Sequence, residues 1–181
     1  LKLPTVGVRP NETAIKISTN ANLGPVPPTS LTKVQPAGAF TSSIVRFLHP
    51  ARAGEAVSFE VQFASTMEIR AGEQIFVVLP RFEGEDRHNF SVLCSPAGLI
   101  PSADWRNETL TFVVQSAIAT GQETTLTIGA EIGIKLPDTG VRLNQRTIRI
   151  ASNARDGPVE ATPVTQVSPV GAFGNTSLSF K

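Results

Sequence analysis

One long stretch of this chain occurs twice, and that repetition restricts what the chain can fold into more than any other feature. Lys135 to Phe180 lies over Lys2 to Phe47 without a gap, at an offset of about 133 residues, with about 22 of 46 positions identical. Lys2-Leu3-Pro4 returns as Lys135-Leu136-Pro137, Gly7-Val8-Arg9 as Gly140-Val141-Arg142, Asn20-Ala21 as Asn153-Ala154, and Gly24-Pro25-Val26 as Gly157-Pro158-Val159. Ile15 and Ile17 match Ile148 and Ile150, Gly38-Ala39-Phe40 matches Gly171-Ala172-Phe173, and Phe47 matches Phe180. A gapless match mixing glycine, proline, asparagine and apolar types marks duplication rather than low complexity. The spacing is too long for a solenoid turn, where units run roughly 20 to 50 residues, and fits a whole domain. The chain therefore reads as a window on an array. Residues 1–39 are expected to be the last strands of a preceding copy, 40–172 one complete unit, and 173–181 the first strand of the next.

Strand signals recur through that unit. Val57, Phe59, Val61 and Phe63 alternate with Ser58, Glu60 and Gln62, the period of a half-buried strand with the serine side facing out. Ser43–Phe47, Ser91–Cys94, Leu110–Val114, Leu126–Ile128 and Ile148–Ile150 continue the series, and Gln74–Leu79 is apolar enough to predict a strand covered on both faces. Gly, Pro, Asn and Asp clusters such as Glu83-Gly84-Glu85-Asp86 separate them. A further strand is predicted at Ala14–Ser18, and Gly24-Pro25-Val26-Pro27-Pro28 should run extended, as an edge or as a stiff lead into the next domain. No apolar pattern holds a 3.6-residue period over three turns. The predicted class is all-β: an antiparallel β-sandwich, immunoglobulin-like, in tandem repeat. The Cys-Trp-Cys hallmark of antibody domains is missing. Trp105 is expected to plug one end of the core, its indole N–H on a loop carbonyl.

Composition narrows the functions. Hydrophobic residues at 40% of 181 supply a core, and a net charge of +1 with 17% charged residues gives no basic face for nucleic acid. No run approaches the ~20 apolar residues of a membrane span. Cys94 has no second cysteine to pair with, and Val92 and Leu93 beside it predict a buried thiol.

The sharpest local motifs are four acceptor triplets for N-linked sugar, at Asn11, Asn89, Asn107 and Asn175. They imply a secretory route, although Asn, Ser and Thr also favour turns ahead of strands for purely conformational reasons. The copies do not share them: Asn11 falls on Asn144, whose triplet ends in Arg146, and Asn175 falls on Ser42. Glu83, Glu85 and Asp86 cluster, yet lack the alternating spacing of a calcium loop, and His49 and His88 have no second ligand at zinc spacing. Asp104 and Glu108 flank Trp105 in what reads as a loop, the placement of a carboxylate pair in some sugar-cleaving sites, but no other aromatic lies nearby. No nucleophile elbow or phosphate-cradling loop is present. No catalytic, metal or cofactor site is expected.

The run Val77-Val78-Leu79-Pro80-Arg81-Phe82, then Ala103-Asp104-Trp105, then Ile134-Lys135-Leu136-Pro137 with Gly140, and the block from Gly157-Pro158-Val159 to Gly171-Ala172-Phe173 together resemble the tandem β-sandwich repeats of very long extracellular proteins of algae and other protists. That resemblance implies glycosylated surface stalks and fibres and nothing catalytic. The expected function is a structural repeat of an extracellular filament or cell-surface fibre whose partners are copies of itself and N-linked glycans. An adhesin repeat that binds carbohydrate or another cell surface is the alternative.

Overall fold

The computed structural model describes residues 7, 8 and 12–171, and among them the chain is all β apart from a 3-10 turn at Ala130–Ile132. A hairpin of β1 (Lys16–Thr19) and β2 (Val26–Ser30) comes first. The body follows with β3 (Phe40–Phe47), β4 (Phe59–Ser65), β5 (Gln74–Val78), β6 (Arg87–Ser91), β7 (Leu93–Ser95), β8 (Ser102–Arg106), β9 (Thr109–Val113) and β10 (Thr124–Ile128). It closes with β11 (Arg149–Ser152), β12 (Val159–Pro163) and β13 (Gln166–Val167). Two sheets make the body, one in the order β13-β3-β4-β10-β7 and the other β12-β11-β5-β9-β8-β6. All neighbouring strands are antiparallel except β13, which runs parallel to β3.

Alternation builds the core from both sheets. Phe59, Val61 and Phe63 of β4 are buried while Glu60 and Gln62 are half out, and Leu110 and Phe112, Leu126 and Ile128, and Ile150 answer them from β9, β10 and β11. Each such side chain contributes about 1.5–3 kcal/mol by leaving water. The buried cluster runs without a break from Val45 to Val170 and includes Trp105, whose Nε1–H donates to the Gly84 carbonyl at 3.4 Å.

Several local expectations change. β5 is not covered on both faces: Ile75 and Val77 are buried, whereas Phe76 and Val78 are half-buried on the outer side. An apolar run alone does not distinguish a central strand with a partly shielded outer face from one buried twice. The predicted strand Ser91–Cys94 is really two, because the chain crosses from one sheet to the other at buried Val92. Cys94 therefore sits half-buried on the edge strand β7, and Leu93 beside it is exposed. Asp104 and Trp105 lie in strand β8, not in a loop. Ser58 does not face free solvent, since its hydroxyl accepts the Ala130 N–H at 2.9 Å. The proline-rich stretch is strand β2 itself, the outer edge of the first hairpin, and not a lead into the next domain.

The duplication reappears in three dimensions. In the first hairpin Lys16 faces Ser30, Ile17 faces Thr29 and Thr19 faces Val26; in the hairpin β11–β12 the corresponding partners are Arg149 and Pro163, Ile150 and Thr162, and Ser152 and Val159. Both have a register irregularity at the same step. The bridge between Val8 and Ala37 is repeated between Val141 and Val170, and Gly7 and Gly140 both take a left-handed φ where a side chain would strike the carbonyl of Ala37 or Val170. The surroundings differ completely. β11 lies against β5, and Ile148 and Ile150 are wholly buried, whereas β1 has only β2 beside it among the described residues, leaving Ile15 37% and Ile17 62% exposed.

Candidate functional site

Two surfaces stand out, one bearing sugar acceptors and one an uncovered apolar strand. Asn89 and Asn107 lie near the same end of the six-stranded sheet's outer strands. β6 is the edge of that sheet, and its pairing with β8 is irregular between Arg87 and Phe90. There Asn89 takes a left-handed φ of 50° and donates its N–H to Asp104 Oδ1 at 2.6 Å, which turns an exposed acceptor outward from the edge. Asn89 thus lies within a strand and not ahead of one. Asn107 and Glu108, with φ of 48° and 59°, are the two central residues of the tight β8–β9 hairpin, the positive-φ pair a type I′ turn requires. Both are exposed. Asn11 and Asn175 lie outside the described residues.

The carboxylates around Trp105 are committed elsewhere. Asp104 caps the β6 irregularity, and Glu108 Oε1 accepts the Arg81 N–H at 2.7 Å, so one serves a backbone donor within β6 and the other a donor in the β5–β6 connection. Asp86 of the acidic turn faces Arg106 at 3.6 Å, and no cluster of metal-ligating side chains occurs among the described residues. Burial raises the pKa of the Cys94 thiol, outweighing the backbone hydrogen bonds from Ile100 and Leu99, which favours the neutral thiol over the thiolate. No helix among the described residues is long and apolar enough to cross a membrane.

The apolar surface belongs to the first hairpin. Of the eight large hydrophobic side chains exposed in the described residues, Ile15, Ile17, Leu23, Val26 and Leu31 all lie within 17 residues of one another. Their repeat counterparts, except Asp156 at the position of Leu23, are the buried Ile148, Ile150, Val159 and Val164. An open groove of about 730 Å³ lies on the same hairpin, lined by Ser18, Thr19, Asn20 and Pro25 to Pro28. Repetition marks this block as a second copy of one whose apolar strand face needs a partner, and Ile15 and Ile17 are exposed accordingly.

Comparison with protein-family models, with curated proteins and with solved structures gave no match.

Proposed function

We propose that this chain is a structural repeat module of an extracellular, glycosylated filament or cell-surface fibre, built of immunoglobulin-like sandwiches joined head to tail by strand addition. The observation that carries this is one hairpin present twice, once buried as part of a sandwich and once open, because an open apolar strand needs a partner. The strand order supports the immunoglobulin-like label. β3-β4-β10-β7 follows the A-B-E-D order of such sandwiches and β12-β11-β5 the G-F-C order, with β9, β8 and β6 added beyond C and β13 beside A. Sugar on Asn89 and Asn107 would keep neighbouring molecules from pairing along the β6 edge, which suits a fibre that grows at its ends only.

The groove on the first hairpin favours a second reading, an adhesin repeat. Against it, every described aromatic side chain is buried or half-buried, leaving no ring in the open on which a sugar could stack. Electron microscopy of the native material decides between them: filaments with an axial repeat of one domain support the fibre, and separate particles that bind a glycan array support the adhesin.

A further inference from the structure

The second block, residues 135–171, does more than extend one sheet: it fastens both. β11 pairs with β5, setting Ile150 opposite Val77 and Ala151 opposite Phe76, while β13 pairs in parallel with β3, setting Gln166 opposite Ile44 and Val167 opposite Val45. Polar contacts fix the seat. Gln74 N–H donates to Asn153 Oδ1 at 2.6 Å, and the Thr165 hydroxyl donates to the Ser43 carbonyl at 2.6 Å. The first block has the same apparatus with nothing in it. Asn20 stands where Asn153 does, Thr32 where Thr165 does, Val34 where Val167 does, and Ile17 where Ile150 does.

We infer that residues 7–38 are the closing block of a second sandwich body, a separate copy of the surface formed here by residues 40–134. β1 adds antiparallel to that copy's β5, and Lys33-Val34 adds parallel to its β3. This rests on the repeat-module reading for its biological purpose, though not on the glycans or the location.

Direction follows from proline. The outer strand of the first hairpin carries Pro27 and Pro28, which supply no N–H for another strand, so the hairpin can grow only through β1. The acceptor cannot be the body of the same molecule in the same register. In the seated block the Phe47 N–H donates to Ser168 Oγ at 2.9 Å, which places position 168 beside the far end of β3. Its counterpart is Gln35, and only four residues lie between Gln35 and Phe40 at the near end. Those five Cα-to-Cα steps reach at most about 18 Å, while a strand from Phe40 to Phe47 is about 23 Å long. Two polar contacts of the seated block change in such a copy: Leu23 replaces Asp156, whose ion pair with Arg70 at 2.7 Å is half-exposed and worth little, and Gln35 replaces Ser168, offering an amide oxygen where the serine hydroxyl accepts the Phe47 N–H.

The test places a copy of residues 40–134 ahead of Lys2, so that Ile134 leads into Lys2 as it leads into Lys135, and leaves the rest of the chain intact. Hydrogen exchange of Lys16–Thr19 should slow by about a hundredfold or more relative to the single chain, approaching that of Arg149–Ser152. Ile17→Asp should unfold the added unit alone in the extended chain and leave the single chain's melting unchanged. A Ser18→Cys change paired with Phe76→Cys in the added copy, in a Cys94→Ala background, should cross-link under mild oxidation, because those positions face each other in the seated register. Unslowed exchange in β1, or no cross-link in soluble or refolded material, overturns the inference. If the cross-link forms but the native material consists of separate particles, docking stands and the fibre reading fails.

Discussion

Ser43 and Thr165, 122 residues apart in sequence, hold each other through backbone and side chain at once. The Thr165 hydroxyl donates to the Ser43 carbonyl at 2.6 Å and accepts the Ser43 N–H at 3.0 Å, while the Ser43 hydroxyl accepts the Thr165 N–H at 3.0 Å. Ser43 is 1% exposed, so no water replaces a lost partner. Thr165→Val should therefore cost about 1–3 kcal/mol, the penalty for a buried group left unpaired. The same change at Thr32, its exposed repeat counterpart, should stay within about 0.5 kcal/mol in the single chain. Urea unfolding of both variants measures the contrast, and equal costs would contradict the difference in docking between the two blocks.

Phe59 and Ser58 test the register of β4. Phe59 is wholly buried between the sheets, and Phe59→Ala should cost about 3–5 kcal/mol. Ser58→Ala should cost about 1 kcal/mol, because it removes the acceptor of the Ala130 N–H. Under a one-residue slip Phe59 would lie on the outer face and Phe59→Ala would cost little, since neighbouring side chains point to opposite faces.

The all-β class and much of the core were legible because alternation and duplication are written in residue types. Phe59, Val61, Phe112 and Ile150 are identified by period alone and are buried. What escaped depends on neighbours distant in sequence. Nothing in Gln74 to Leu79 says that β11 will lie beside it from residue 149 onward, nor that Phe76 faces outward. Nor does Ser91-Val92-Leu93-Cys94 announce a crossing between sheets, since it is apolar in the middle and too short to hold a period. The acceptor asparagines were legible as triplets, but their left-handed backbone at a sheet edge and in a hairpin turn was not.

Cys94 gives the pH dependence a direction. Its folded pKa is raised by burial, so the fold favours the thiol over the thiolate. That contribution is fully present below the unfolded thiol's pKa and fades as pH rises through the higher folded value. Stability of the native chain should therefore fall more steeply in this alkaline window than that of Cys94→Ala. Denaturant midpoints measured across it check the difference, and parallel curves would mean that the thiol is effectively solvated.

Glycans on Asn89 and Asn107 follow from exposure and from turn geometry that presents each side chain outward. Material from a eukaryotic secretory host should lose mass at both sites on enzymatic deglycosylation. The position equivalent to Asn11 in the seated block, Asn144, is exposed, so sugar there is compatible with docking. Unchanged mass at both Asn89 and Asn107 would remove the support for a secreted protein.

Truncation gives the most direct reading of how copies join. Removing residues 135–181 takes away β11, β12 and β13, which opens β5 and β3 and uncovers the core where Ile148, Ile150 and Val167 had packed. The same molecule still carries residues 7–38, which share the repeat's motifs and the hairpin register of the missing block. The reach from Gln35 to Phe40 is too short to seat this block on its own body, so each molecule must close its neighbour. That contact is heterologous, and repeating it makes a chain without a fixed end. Residues 1–134 should thus form concentration-dependent head-to-tail polymers, visible by sedimentation and electron microscopy, while residues 40–181 stay monomeric. Adding Ile17→Asp to the truncated chain should abolish the ordered polymers, because the charge would be buried against the neighbour's core. A stable, monomeric 1–134 would show the block filling the slot of its own body, and head-to-tail closure would then be abandoned.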